Sequence, residues 1–172
     1  MVNEKYLLDA NSFVTPYQNY YPFDFAPAYW RQLEPLLKQD NNSVMDVVRD
    51  EILKGGDKLT EWIMAIEGIN ILDRRDPKIL ESYIRVLKFI QDSPFYNDKA
   101  LRVWSDASVA DPWLIAAASA YGYVIVTIES GAGKINPKTP SGRPKIPDIA
   151  RIMGVRCENL FYFIRKTGIQ FT

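Results

Sequence analysis

The most regular feature of the chain is a set of short apolar runs, two of them ending at an acidic residue, separated by longer stretches with helical spacing. Tyr6, Leu7 and Leu8 form one such run and stop at Asp9; a short continuous apolar run between breaks reads as a buried strand. Tyr123 to Ile128 (YVIVTI) is a clearer case: β-branched, preceded by Gly122 and followed by Glu129, as a central parallel strand should be. Ile69 to Leu72 and Gly154 to Arg156 are weaker strand candidates. Helical periodicity covers Ala28 to Gln39, Met45 to Lys54, Lys58 to Glu67, Pro77 to Gln91, Pro112 to Tyr121 and Asn159 to Lys166. Alternating strands and helices predict an α/β chain, a central and mostly parallel sheet of about four to five strands between two helical layers. Two connections stand out, the aromatic stretch from Phe13 to Trp30 and the Gly/Pro-rich stretch from Gly131 to Pro147.

Two carboxylates fall where helical patterning expects apolar side chains. In Val44 to Ile52, a step of about 100° per residue places Val44, Val47, Val48 and Ile52 on one face with Glu51 in its middle. Burying a lone carboxylate costs several kcal/mol, so Glu51 is either half of a buried ion pair or a cation ligand. Asp111 shares a face with Leu114, Ile115 and Ala118. Asp followed by Pro is also an ordinary helix start, as in Asp76-Pro77, so Asp111 reads as a cap, as a ligand, or as both. Asp9 and Glu129 each follow a strand and should reach the same sheet edge, the carboxyl edge where open α/β sheets bind ligands. Four like charges in one place persist when a cation neutralises them. Asp106 lies near Asp111 but outside its helical register and is a weaker candidate.

Composition narrows the chemistry. The 172 residues contain no histidine and a single cysteine, Cys157. That excludes histidine-based triads and general bases, an internal disulfide, and most zinc sites. Oxygen donors alone favour a hard cation such as Mg2+ or Mn2+. The length suits a single domain, the N-terminus lacks the apolar region of a signal peptide, and no run approaches the ~20 apolar residues of a membrane helix; a cytoplasmic protein without membrane association is expected. The formal net charge is zero, so a polyanion would have to be met by a local basic patch. Residues 131–147, GAGKINPKTPSGRPKIP, supply one: Lys134, Lys138, Arg143 and Lys145 with no acid among them. They read either as phosphate-binding charge or as a solvated, mobile loop. The rings between Phe13 and Trp30 could stack on bases or pin an irregular segment to the core.

In this order, LLDANSF, VVRDEI, ADPWLIAAASAYG and YVIVTIE resemble the acidic blocks of PIN-domain ribonucleases. The tail KIPDIARIMGVRCENLF, taken with DPWLIA, resembles a prokaryotic branch of PIN-like proteins regarded as toxins of toxin–antitoxin pairs. The resemblance implies a three-layer α/β/α PIN-like fold and metal-assisted hydrolysis of RNA leaving 5′-phosphate and 3′-hydroxyl ends. It also implies a cognate antitoxin and, often, a homodimer. By the same resemblance Asp9, Glu51, Asp111 and Glu129 are the metal-binding and catalytic acids, with Asn11 and Thr127 supporting them by hydrogen bonds. Glu129 stands where the wider family usually has Asp, and Gly131 where some members carry a further polar or acidic residue, which leaves the number of metal ions open. Two alternatives remain. One is a haloacid-dehalogenase-like phosphohydrolase with Asp9 as nucleophile, although Asn11 replaces the second Asp of that motif. The other is a catalytically silent binding module.

Overall fold

The structure is a computed structural model and describes residues 3–171. Strand β1 (Tyr6–Leu8) is followed by α1 (Asn11–Thr15), which runs into a π-helical turn at Pro16–Tyr20. Then come α2 (Pro27–Leu37), β2 (Asn42–Met45), α3 (Asp46–Leu53), α4 (Lys58–Ala65) and β3 (Ile71–Leu72). The second half contains α5 (Pro77–Asp92), α6 (Asp98–Trp104), α7 (Ala110–Tyr121), β4 (Val124–Val126), α8 (Ile146–Ile152), β5 (Cys157–Glu158) and α9 (Leu160–Thr167). All pairings are parallel, in the order β3-β2-β1-β4-β5. Every residue of β1, β2 and β4 is buried, whichever way its side chain points, so helices cover both faces of the sheet.

The topology decides where chemistry can happen. From β1 the chain moves outward to β2 and β3 on one side, and it later returns to lay β4 and β5 on the other. The strand order therefore reverses between β1 and β4, which makes their carboxyl ends the rim of a crevice. The register holds those ends level: Leu8 pairs with both Val44 and Val126. The amide of Asp9 then donates to the Val126 carbonyl at 3.0 Å. Gly122 closes α7 at φ 73°, a conformation that a residue with a Cβ rarely adopts, and β4 starts two residues later.

The sequence pattern misassigned several segments. Val44 and Met45, expected in a helix, end strand β2, and α3 begins at Asp46. β2 escaped notice because it opens with Asn42 and Ser43, which are fully buried. Side-chain bonds that hydropathy cannot show hold them there: Asn42 Nδ2 donates to the Leu36 carbonyl (2.9 Å), Ser43 Oγ to Tyr123 OH (3.0 Å), and Asn70 Nδ2 to Ser43 Oγ (2.7 Å), while Asn42 Oδ1 is buried without a partner. The last strand lies at Cys157–Glu158 rather than Gly154–Arg156. The helices α1, α6 and α8 lie in stretches expected to be loops or left unassigned. The aromatic stretch is partly helical and is fastened to the core. Phe13, Tyr29 and Trp30 are buried, and Trp30 Nε1 donates to the Tyr21 carbonyl at 2.7 Å.

Candidate metal centre at the carboxyl edge

Asp9 leaves β1 at the crevice and is only 6% exposed. Both of its oxygens are held: Oδ1 accepts the Ala10 amide at 2.7 Å, and Oδ2 accepts Thr127 Oγ1 at 2.9 Å. Thr127 is a junction. Its hydroxyl also accepts from Asn11 Nδ2 (3.2 Å) and from the Glu129 amide (3.1 Å), while Asn11 Oδ1 takes the Ile128 amide (3.1 Å). Ser12 Oγ adds a bond to the Val126 carbonyl at 2.8 Å. Together these bonds stitch the ends of β1 and β4 into one rigid rim. With Asn11 committed to β4, its amide backs the strand end rather than facing a substrate at Asp9, and the phosphohydrolase reading loses its second acid in space as well as in sequence.

Asp111 corrects the capping expectation. α7 starts at Ala110 with Val109 as its cap residue, and no side chain caps it. Asp111 sits in the first turn, half-buried, and among the described residues its carboxylate makes no hydrogen bond. Asp76 does cap its helix, accepting from the Lys78 and Ile79 amides. The difference is that Asp111 faces other acids. Burial first, then Asp9, Glu129 and Glu51, push its carboxyl up to about 7. Asp9 is lifted to about 6, chiefly by burial and further by Glu51 and Glu129, against the lowering effect of its bonds to Thr127 and Ala10. The four acids thus share one electrostatic neighbourhood.

Glu51 and Glu129 differ from expectation in detail. Glu51 is exposed rather than buried, and among the described residues it has no ion-pair partner. Val47, Val48 and Ile52 on the same face of α3 are buried in the core, while the Glu51 charge acts on Asp9 and Asp111. Partial desolvation still lifts its carboxyl above the usual range, with Lys54 opposing. Glu129 has both oxygens engaged, Oε1 by Lys145 Nζ at 3.1 Å and Oε2 by the Ile146 amide at 2.9 Å. Among the described residues no three acidic side chains converge on one point closely enough to hold a metal ion as they stand. The donors nonetheless suit a hard divalent cation: they are carboxylate oxygens alone, and their mutual repulsion is what such an ion relieves. Asp106 stays apart, exposed and bonded to Ser108.

The basic segment is fastened at both ends. Near its start the Ala132 amide donates to Asp148 Oδ2 (2.9 Å). Near its end the Ser141 amide donates to the Phe95 carbonyl (2.8 Å), and the Asn97 amide to the Ser141 carbonyl (3.0 Å). Of its four cations, Lys145 reaches the acids; Lys134, Lys138 and Arg143 are exposed and pair with no acid among the described residues. Sequence reasoning missed α8, which brings Lys145, the Ile146 amide and Asp148 to the site. The signal available was Pro147 followed by Asp148, a helix-start pair.

The chain is similar in fold to a chain of VapBC2 from Rickettsia felis, solved bound to a DNA fragment from their promoter, at TM-score 0.52 and 19% identity over 90% of this chain and 97% of that one. It is similar also to a chain of the DNA-bound VapBC from Salmonella typhimurium, at TM-score 0.53 and 17% identity over 92% and 99%. These likenesses, with the five-stranded parallel sheet, give the protein a PIN-like α/β fold, as the sequence blocks implied. None of the described helices is long and apolar enough to cross a membrane. No curated protein matches the chain at a significant level. Residues 6–171 match the family described as a domain of unknown function, DUF4411, and the chain belongs to that family.

Proposed function

We propose that the protein is a divalent-metal-dependent endoribonuclease, acting in the cytoplasm as the toxin of a toxin–antitoxin pair. The observation that carries this reading is Asp111, an acid in the first turn of a buried helix that caps nothing, accepts no hydrogen bond among the described residues and lies within electrostatic reach of Asp9. Asp9 and Asp111 would hold a Mg2+ or Mn2+ ion, with Glu51 at the open rim and Glu129 beside them. When bound, such an ion supplies charge compensation and a water acidic enough to attack a phosphodiester. The chain's own part is positional. Thr127 and Ala10 fix the Asp9 carboxylate, Asn11 fixes the strand that carries Thr127, and Lys134, Lys138 and Arg143 offer phosphate-binding charge along the approach.

The toxin role is supported by the fold, since both similar structures are described as DNA-bound VapBC proteins. A protein antitoxin is accordingly proposed as partner. Induced expression in a bacterial host should arrest growth, and transcripts from arrested cells should carry new 5′-phosphate ends. Asp9→Asn should abolish both effects at equal protein level. Arrest that persists in Asp9→Asn, or arrest without new RNA ends, would contradict the reading.

A further inference from the structure

Among the described residues, Lys145 is the cation that forms an ion pair with one of the four acids. Its ammonium holds Glu129 Oε1 at 3.1 Å while the neighbouring Ile146 amide holds Oε2 at 2.9 Å, so Glu129, unlike Asp9 with its neutral donors Ala10 and Thr127, already carries a cation. The same ammonium acts on Asp111 as its counter-charge. Its placement is built into the backbone. Lys145 is the extended residue immediately before α8, at φ −114° and ψ 138°. Asp148, in the first turn of that helix, grips the segment after Glu129 through the Ala132 amide. The grip is close enough that a Cβ on Gly131 would come within 2.6 Å of Asp148 Oδ1. Residues 129–132 and 145–148 are therefore clamped together at two points, and the clamp aims Lys145 at the acids.

We infer that Lys145 is a resident cation of this site, standing where Glu129 would otherwise help bind a second divalent ion, so that the site takes one metal ion at Asp9 and Asp111. This rests on the metal-dependent reading above and settles its stoichiometry. An ammonium in hydrogen-bond contact with a carboxylate competes directly with a metal for that carboxylate. It also accounts for Glu129 carrying the longer side chain, which reaches across to α8.

The test is calorimetric titration of Mn2+ alone into the full chain, without RNA, for wild type, Lys145→Met, Lys145→Gln and Lys145→Arg, with thermal melts to confirm folding. Wild type and Lys145→Arg should bind one ion. Lys145→Met and Lys145→Gln should bind a second ion, or bind the first roughly tenfold more tightly once the competing charge is gone. Unchanged stoichiometry and affinity in both neutral variants, two ions in wild type, or binding that survives Asp111→Asn would each overturn the inference. Because cleavage is not read, single-ion binding that responds to Lys145 in a protein that cuts no RNA would leave this inference standing and remove only the nuclease reading.

Discussion

The chemistry of the site turns on how individual side chains are held. Thr127 gives one hydroxyl to three partners: the Asp9 carboxylate, the Asn11 amide and the Glu129 backbone. Thr127→Val keeps the shape and deletes all three bonds, leaving buried polar atoms unpaired. It should destabilise the protein by about 1–3 kcal/mol in urea unfolding and weaken Mn2+ binding. A wild-type unfolding midpoint in the variant would show that the junction is not structural. Asp111 works in the opposite sense. It is kept half-buried beside other acids with nothing donating to it, a placement that costs stability and that an ion would relieve. Asp111→Asn should therefore raise the melting temperature of the metal-free protein at pH 8, by roughly 3–6 °C, and abolish the gain that Mn2+ confers on wild type. A lower melting temperature at that pH would mean that Asp111 supports the fold.

At the scale of elements, legibility in the sequence followed patterning. β1 and β4 were visible because they are continuously apolar, and the amphipathic α5 and α9 because their apolar positions recur at helical spacing. Asp9, Asp111 and Glu129 were found because each abuts such a segment. β2 was invisible because Asn42 and Ser43 are polar by type and buried by virtue of partners contributed by α2, Asn70 and Tyr123. The orientation of Glu129 was equally hidden, since it depends on α8, seventeen residues away at its Ile146 amide. The roles of the basic residues could not be told apart until Ser141 and Asn97 were seen to tie their segment down. Asn97 serves two elements, capping α6 through its Oδ1 and bonding the Pro140 carbonyl through its Nδ2. Asn97→Ala should cost about 1 kcal/mol as a lost cap and, in addition, expose residues 131–145 to limited proteolysis. Unaltered cleavage there would show that the segment is held by other contacts.

For the whole molecule, the acidic cleft predicts a pH dependence of definite sign. Asp9 and Asp111 titrate at about 6 and about 7 in the folded protein, well above the ordinary carboxylate value of about 4. Between about pH 4 and pH 7 the folded protein holds protons that the unfolded chain has released, so metal-free stability falls as pH rises through that window. Glu4, held down to about 2 mainly by Tyr6 and Arg156, acts in the reverse sense at lower pH, which leaves the decline above pH 4 to the site. Melting curves of the metal-free protein from pH 5 to pH 8 should show that decline and Mn2+ should flatten it; a rise in stability over the same range would contradict the shared acidic neighbourhood. The balance of formal charge to zero conceals this polarity, with acids gathered at one sheet edge and the basic segment fastened beside them. The most direct measurement is incubation of purified protein with total RNA in EDTA, Mg2+ or Mn2+, comparing wild type with Asp9→Asn and Asp111→Asn and determining the chemistry of the new ends. Cleavage that requires the metal, leaves 5′-phosphates and is lost in both variants is the predicted result; cleavage in EDTA, or cleavage retained by either variant, would contradict the assignment.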